Sequence, residues 1–219
     1  EEDDHDWMLP PSDMRSAAAW DRYWNDQVSH GFDPPVFDMF CDDSELVEIL
    51  LELGMTRVLC AGNGICQEPK ALAQTGLHVV ALDLSPAATR LAETWDLQPE
   101  DLEQFLDPKL KRAGGSLKYV MGDILDPAVC PGPFDMIIER RTLQLFPPDR
   151  RATALESLAA RLSPEGILVS HCHDGAWKPP AEPFHATKAL FQRSDWTIWR
   201  RGGGLKPKGR VALLALSTG

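Results

Sequence analysis

Two glycines and one acid are the residues of this chain best placed to do chemistry. Gly62 and Gly64 form a Gly-x-Gly turn after a short apolar run at 58–60, and Asp83 closes a second apolar run at 78–82. A helix reaching Gly76 fits between them, so residues 57–91 read as a β-α-β unit with a carboxylate at its second strand tip. Glycines let the backbone turn tightly and approach a ligand with no Cβ in the way, and a carboxylate can accept both hydrogen bonds of a ribose diol. Ala61, Gly62, Asn63 and Gly64 on one side, with Asp83, Leu84 and Ser85 on the other, are expected to hold an adenosine. A bare Gly-x-Gly is also a common tight turn, so the segments downstream must separate the two readings. A dinucleotide site would want a third glycine where Gln67 stands.

Those segments follow in order. Ser85-Pro86 supplies an N-cap and a proline that suits the first turn of a helix. Residues 117–121 read as a third strand leading into Gly122-Asp123-Ile124, where a carboxylate and an apolar side chain could frame an adenine. Residues 134–138 form a fourth strand ending on Glu139-Arg140-Arg141, and 166–170 a fifth ending on His171-Cys172-His173-Asp174. Ligands of open parallel sheets bind beyond the carboxyl ends of the strands, so the tips bring Gly62, Asp83, Asp123, Glu139 and His171 to one crevice. The expected architecture is a Rossmann-like three-layer sandwich with a mostly parallel, seven-stranded sheet. An antiparallel C-terminal pair, 196–201 and 210–216 around Gly202–204, would complete it.

With these residues in place, the chain resembles the class I S-adenosylmethionine-dependent methyltransferases over nearly its whole length, and within them the thiopurine and thiol methyltransferases. Three stretches carry the narrower resemblance: Trp20-Asp21-Arg22-Tyr23-Trp24, the run FDMIIERRTLQLFPPDRR from Phe134, and Pro179-Pro180 followed by Pro183-Phe184-His185-Ala186. The resemblance implies S-adenosyl-L-methionine as cofactor and a small-molecule methyl acceptor. It also favours Trp20 and Trp24 as a lid over the cofactor rather than only an apolar stripe packed on the domain. The chain departs from the family in carrying Glu139-Arg140-Arg141 where Asp-Arg-Gly is usual, and Ala61-Gly62-Asn63-Gly64 where Cys-Gly is common.

Methyl transfer from a sulfonium needs a nucleophile held in line and water kept out. For a thiol acceptor, a nearby cation favours the reactive thiolate. Arg140 is the first candidate, against an ion pair with Glu139 or Asp135. Arg141 is expected to point the other way by alternation along an extended chain. His171 is read as a polar wall or base of the acceptor pocket. His171 and His173 share a strand face and, with His185, suggest a metal, but no second cluster completes a tetrahedral site, so none is expected.

Composition sets the outer limits. The 219 residues, 43% hydrophobic and 25% charged, suit one domain over 1–219, with 1–43 an acidic segment and possible lid. The net charge of −11 is concentrated early: residues 1–57 hold 15 acids and 3 bases, residues 58–219 hold 18 and 19. The body after residue 57 is near neutral, and nucleic acid is not an expected partner because the basic stretch 193–210 is read as a solvated hairpin rather than a phosphate-contacting surface. Five cysteines without a Cys-x-x-Cys pair, no long apolar run and no export signal point to a cytoplasmic, membrane-free protein. Residues 44–53 read as a capped helix ending at Gly54. The stretch 95–115, with Leu102, Phe105, Leu106 and Leu110, either borders the acceptor pocket or decorates the edge. The leading expectation is a small-molecule methyltransferase preferring a thiol. The alternatives are O- or N-methylation, or a cofactor-binding subunit without activity.

Overall fold

The computed structural model describes residues 11–13, 15–31, 47, 51–95 and 107–171, together with the backbone of 184–187 and 196–201. Five strands form a parallel sheet: β1 (Arg57–Ala61), β2 (His78–Asp83), β3 (Ser116–Met121), β4 (Phe134–Arg140) and β5 (Leu162–His171). At the β5 edge, β7 (Trp196–Arg201) pairs antiparallel with β5, and β6 (Phe184–Thr187) pairs antiparallel with β7, giving the order β3-β2-β1-β4-β5-β7-β6. The expected partner of 196–201 at 210–216 lies outside the described residues, as do Leu102, Phe105 and Leu106.

β1 is the spine, and its side chains show why the sheet is covered on both faces. Val58 and Cys60 pack with Leu72, Leu77, Val79, Met136 and Ile138, whereas Leu59 and Ala61 pack with Leu82, Ile137, Leu143, Leu155 and Leu158. Successive strand residues face opposite ways, so a strand apolar at every position must be buried on both faces. Helix α2 (Glu68–Gln74) covers the first face through Leu72, and α4 (Pro148–Ala160) covers the second through Leu155 and Leu158. α3 (Pro86–Thr94) starts where its sequence predicts, with Ser85 Oγ accepting from Ala88 N at 3.0 Å and Pro86 in the first turn. β5 begins four residues before the expected 166. Between Phe134↔Leu162 and Met136↔Ile167 its register shifts, and the extra residues 163–165 include Pro164, which an irregularity tolerates where a regular ladder would not.

α1 (Ala17–Ser29) packs on α3 from outside the sheet. Asp21 fastens it: its Oδ1 accepts from Ala87 N at 2.8 Å and from the Ser85 hydroxyl, so a side chain of one helix caps the N-terminus of the other. A second tie lies behind β3. Arg161 is 1% exposed, and its guanidinium donates to the carbonyls of Ile124, Val129 and Ser157 at 2.9–3.3 Å and to that of Asp126, holding the loop after β3 against the end of α4. No helix among the described residues is long and apolar enough to cross a membrane.

Candidate active site

The strand order places β1 between β2 and β4, so the chain leaves β1 in opposite directions and opens a crevice beyond the strand ends. The register fixes what meets there. Ala61 lies beside Leu82 and Glu139, which puts the turn at 62–64 between the tips carrying Asp83 and Arg140. A cavity of about 520 Å³ fills this crevice, within the range that ligand pockets occupy.

Its floor is the β1 turn. Gly62 has φ 66°, and a Cβ there would stand 2.3 Å from Thr142 Oγ1. Gly64 has φ 55°, and its Cβ would meet Trp24 at 2.5 Å. Both are needed for their backbone angle and for the neighbour they admit. Asp83 ties the turn down: Oδ2 accepts from Gly64 N at 2.7 Å and Oδ1 from Ser85 N at 2.8 Å. Burial raises its pKa against those backbone bonds. The backbone of Leu84 also favours the carboxylate, and a carboxylate has four lone-pair directions, so acceptor capacity remains beyond these three donors.

Ile124 and Asp123, from the loop after β3, make one side wall. Asp123 Oδ1 accepts from Leu125 N at 2.8 Å, and Oδ2 pairs with Arg15 Nη2 at 3.2 Å. The Arg15 side chain is 61% exposed, so this pair is worth under about 1 kcal/mol and yields easily to a better donor. The roof is α1. Trp20, Tyr23 and Trp24 line the cavity and pack on one another, Tyr23 edge-on to Trp24 at 5.0 Å and Trp20 stacked on Trp24 at 6.4 Å. They are therefore both the apolar stripe and the cover.

The β4 tip makes the remaining wall with Ile138, Arg140, Arg141, Thr142 and Gln144. Arg140 directs Nη1 toward Cys66 Sγ at 4.0 Å. Burial, and then the charge of Arg141, lowers its pKa to about 10, which leaves it cationic at neutral pH. Asp135 spends Oδ2 on Thr56 and Arg57 at the opposite end of β4. Arg141 departs from the alternation expected of it. It has φ 58°, the strand ends there, and its side chain lines the same cavity as that of Arg140. The Cys60 and Cys66 thiols also line the wall, but burial, and then Glu68, pushes both upward, so they stay protonated.

Three expected site residues support the cavity without lining it. Ser85 is fully buried in its cap with Asp21. Gly122 admits Val129, whose Cγ1 would lie 2.4 Å from a Cβ. Glu139 is 1% exposed and turned from the crevice: Oε2 accepts from Thr142 N and Leu143 N at 3.0 Å, and Oε1 from the Ser170 hydroxyl. It shapes the 3-10 turn Leu143–Leu145 that carries part of the wall. His171 pairs with Arg140 through the backbone, and its side chain, like those of 172–174 and 185, lies outside the described residues.

Glu139 gives a prediction. Burial raises its carboxyl from 4.5 to about 7 against three donated hydrogen bonds. The folded state therefore holds this proton more tightly than the unfolded chain. Its contribution is complete below about pH 4.5 and is lost as pH rises to about 7, roughly 3 kcal/mol at about 1.4 kcal/mol per pH unit. Glu139→Gln keeps an acceptor for Thr142 and Leu143, and is expected to flatten this decline in urea unfolding across that window. An unchanged slope would refute the assignment.

A mostly parallel sheet with a glycine turn after its central strand, an acid at the next strand tip and a cavity beyond both defines a Rossmann-like methyltransferase fold. The thiopurine S-methyltransferase family model matches residues 15–200, and the chain belongs to that family. It is an S-adenosylmethionine-dependent methyltransferase. Among solved structures, a TehB-like SAM-dependent methyltransferase from Corynebacterium glutamicum aligns at TM-score 0.51 and 15% identity, over 86% of this chain and 98% of that one. A structure described as the conversion of a disulfide bond into a thioacetal group during echinomycin biosynthesis aligns at 0.52 and 18%, over 88% and 96%. At these identities the likeness concerns the fold. No curated protein matches the chain.

Proposed function

We propose that this chain transfers the methyl group to a small molecule, a thiol or similar soft nucleophile, with the cofactor lying along the β1–β2 floor and the acceptor against the β4 wall. The observation that carries the reading is the cation at the β4 tip opening into the same cavity as the glycine turn and Asp83. Two positive-φ glycines leave the backbone open to a ligand, Asp83 lines the cavity with acceptor capacity left for a ribose hydroxyl, and Asp123 with Ile124 suits the edge and face of an adenine. Trp20 and Trp24 line the same cavity, and aromatic rings there would favour a bound sulfonium and keep water away.

When bound, S-adenosylmethionine would supply a methyl already activated on a sulfonium, which an acceptor lone pair would take with the C–S bonding pair returning to sulfur. The chain's own work is to position that lone pair and keep it available. Arg140 favours the thiolate over the thiol, the displaced proton leaving to solvent. Ser85, Gly122 and Glu139 act one step back, by setting the start of α3, the loop after β3 and the turn at 143–145. Methylation of oxygen or nitrogen is the second reading. It draws on the β4–β5 register, which sets His171, a residue able to serve as base, beside Arg140.

S-adenosylmethionine and its demethylated product are expected to raise Tm by about 5–10 °C at a hundred times Kd, while NAD and ATP leave it unmoved. For ATP the reason is that the turn carries no P-loop lysine, and for NAD it is Gln67. It is fully buried and its Nε2 donates to the carbonyls of Ile65 and Ala92, filling the place where a dinucleotide site needs a glycine. A larger shift with NAD would overturn the reading. Tritiated methyl transfer to a panel of thiols, phenols and amines then separates sulfur from oxygen and nitrogen.

A further inference from the structure

Arg141 is the residue of the cavity least explained by the reaction so far described. It stands where the family usually carries glycine, at φ 58°, a left-handed backbone conformation that strains a long side chain. Its Nε is buried with no hydrogen-bond partner, and among the described residues no carboxylate answers its charge. Glu139, the nearest acid in sequence, is committed to Ser170, Thr142 and Leu143, and Asp135 to the far end of the strand. Arg140 lies on the same wall, close enough that the charge of Arg141 lowers its pKa. Two neighbouring guanidinium groups on one cavity wall repel, and an anion held by Arg141 offsets that repulsion. A carboxylate suits this best, because a planar guanidinium fork matches its two oxygens.

We propose that Arg141 is a specificity-determining residue that selects methyl acceptors bearing a carboxylate, held by Arg141 while Arg140 faces the nucleophile. This rests on the reading that the β4 wall faces the acceptor. The cofactor's own carboxylate is the other possible source of the anion, and the experiment separates the two.

The probes are 3-mercaptopropionate and its methyl ester, which share a nucleophile and differ by one charge. In wild type the acid is expected to have the higher kcat/KM, and in Arg141→Met the acid-over-ester preference to fall by about 10- to 100-fold, mostly through KM. Titration calorimetry with S-adenosylhomocysteine bound is expected to show the acid losing affinity by a similar factor. Arg141→Gly reads the same preference in a relaxed backbone: Tm is expected to rise by about 2–4 °C while the preference is lost, whereas a structural arginine would lower Tm on removal. A preference that survives both substitutions overturns the proposal. So does a loss of S-adenosylhomocysteine affinity in Arg141→Met with the preference intact, which would give the anion to the cofactor. If neither probe is methylated or bound by wild type while the cofactor binds, the acceptor reading of the β4 wall falls with it. If Arg140→Met lowers turnover and Arg141→Met leaves the preference alone, only the proposal on Arg141 falls.

Discussion

Asp83→Ala is expected to weaken S-adenosylmethionine binding by about 2–3 kcal/mol, a loss of roughly 30- to 150-fold in affinity, since the ribose bonds removed are charge-assisted. The carboxylate has a second duty that adds to the loss. It accepts from Gly64 N and Ser85 N, so its removal frees the glycine turn and the start of α3 together. Tm should therefore fall as well. Asp83→Asn divides the backbone duty: the amide oxygen can serve Gly64 N or Ser85 N but not both, so stability should fall by less than in Asp83→Ala while the charge-assisted affinity is lost. Calorimetry decides the matter, and unchanged affinity in a folded Asp83→Ala protein would remove the cofactor from this floor.

Arg140→Met is expected to lower the methylation rate of thiols by about 10- to 1,000-fold with cofactor affinity nearly intact. The pH profile carries the argument. The loss should shrink as pH rises above the acceptor's own pKa, about 8.5 for an ordinary thiol, because the thiolate then forms unaided. The useful window closes as pH nears 10, where Arg140 itself is half deprotonated. A purely structural arginine would depress activity at every pH and lower Tm. If the loss falls on phenols or amines with a flat profile, oxygen or nitrogen methylation gains. Wild-type rates on every accepted thiol at pH 7 would end the role.

The sheet's parallel core was legible because buried parallel strands are apolar at every position, and 58–60, 78–82 and 134–138 carry that signature. Each proved one or two residues longer in the structure, since strand ends such as Asp83 and Arg140 are polar exactly where they reach the crevice and so escape an apolar count. Alternation also held an answer that was not drawn. Ile138 and Arg140 share the cavity face, so Glu139 between them had to face elsewhere. The same rule failed one residue on, because a left-handed backbone at Arg141 cancels strand alternation and no local signal announces it. Asp21 was missed for another reason. Helical spacing places Trp20, Tyr23 and Trp24 together, but it cannot say which distant helix end the acid between them will cap. Thr142, Gln144, Leu145 and Phe146 lie in a motif whose family likeness was visible, while their place in the wall depends on the turn that Glu139 holds.

Arg161 carries a consequence for how the ligand's binding free energy divides. Its guanidinium gathers three carbonyls of the loop that bears Asp123 and Ile124, together with that of Ser157 in its own helix. The conformational entropy of ordering that loop, about 1–2 kcal/mol per residue, is thus spent when the chain folds and is not charged again at each turnover. On the proposed placement of the adenine, affinity would be set in part by a residue outside the cavity lining, so two relatives with identical linings and different residues at 161 are expected to bind the same cofactor unequally.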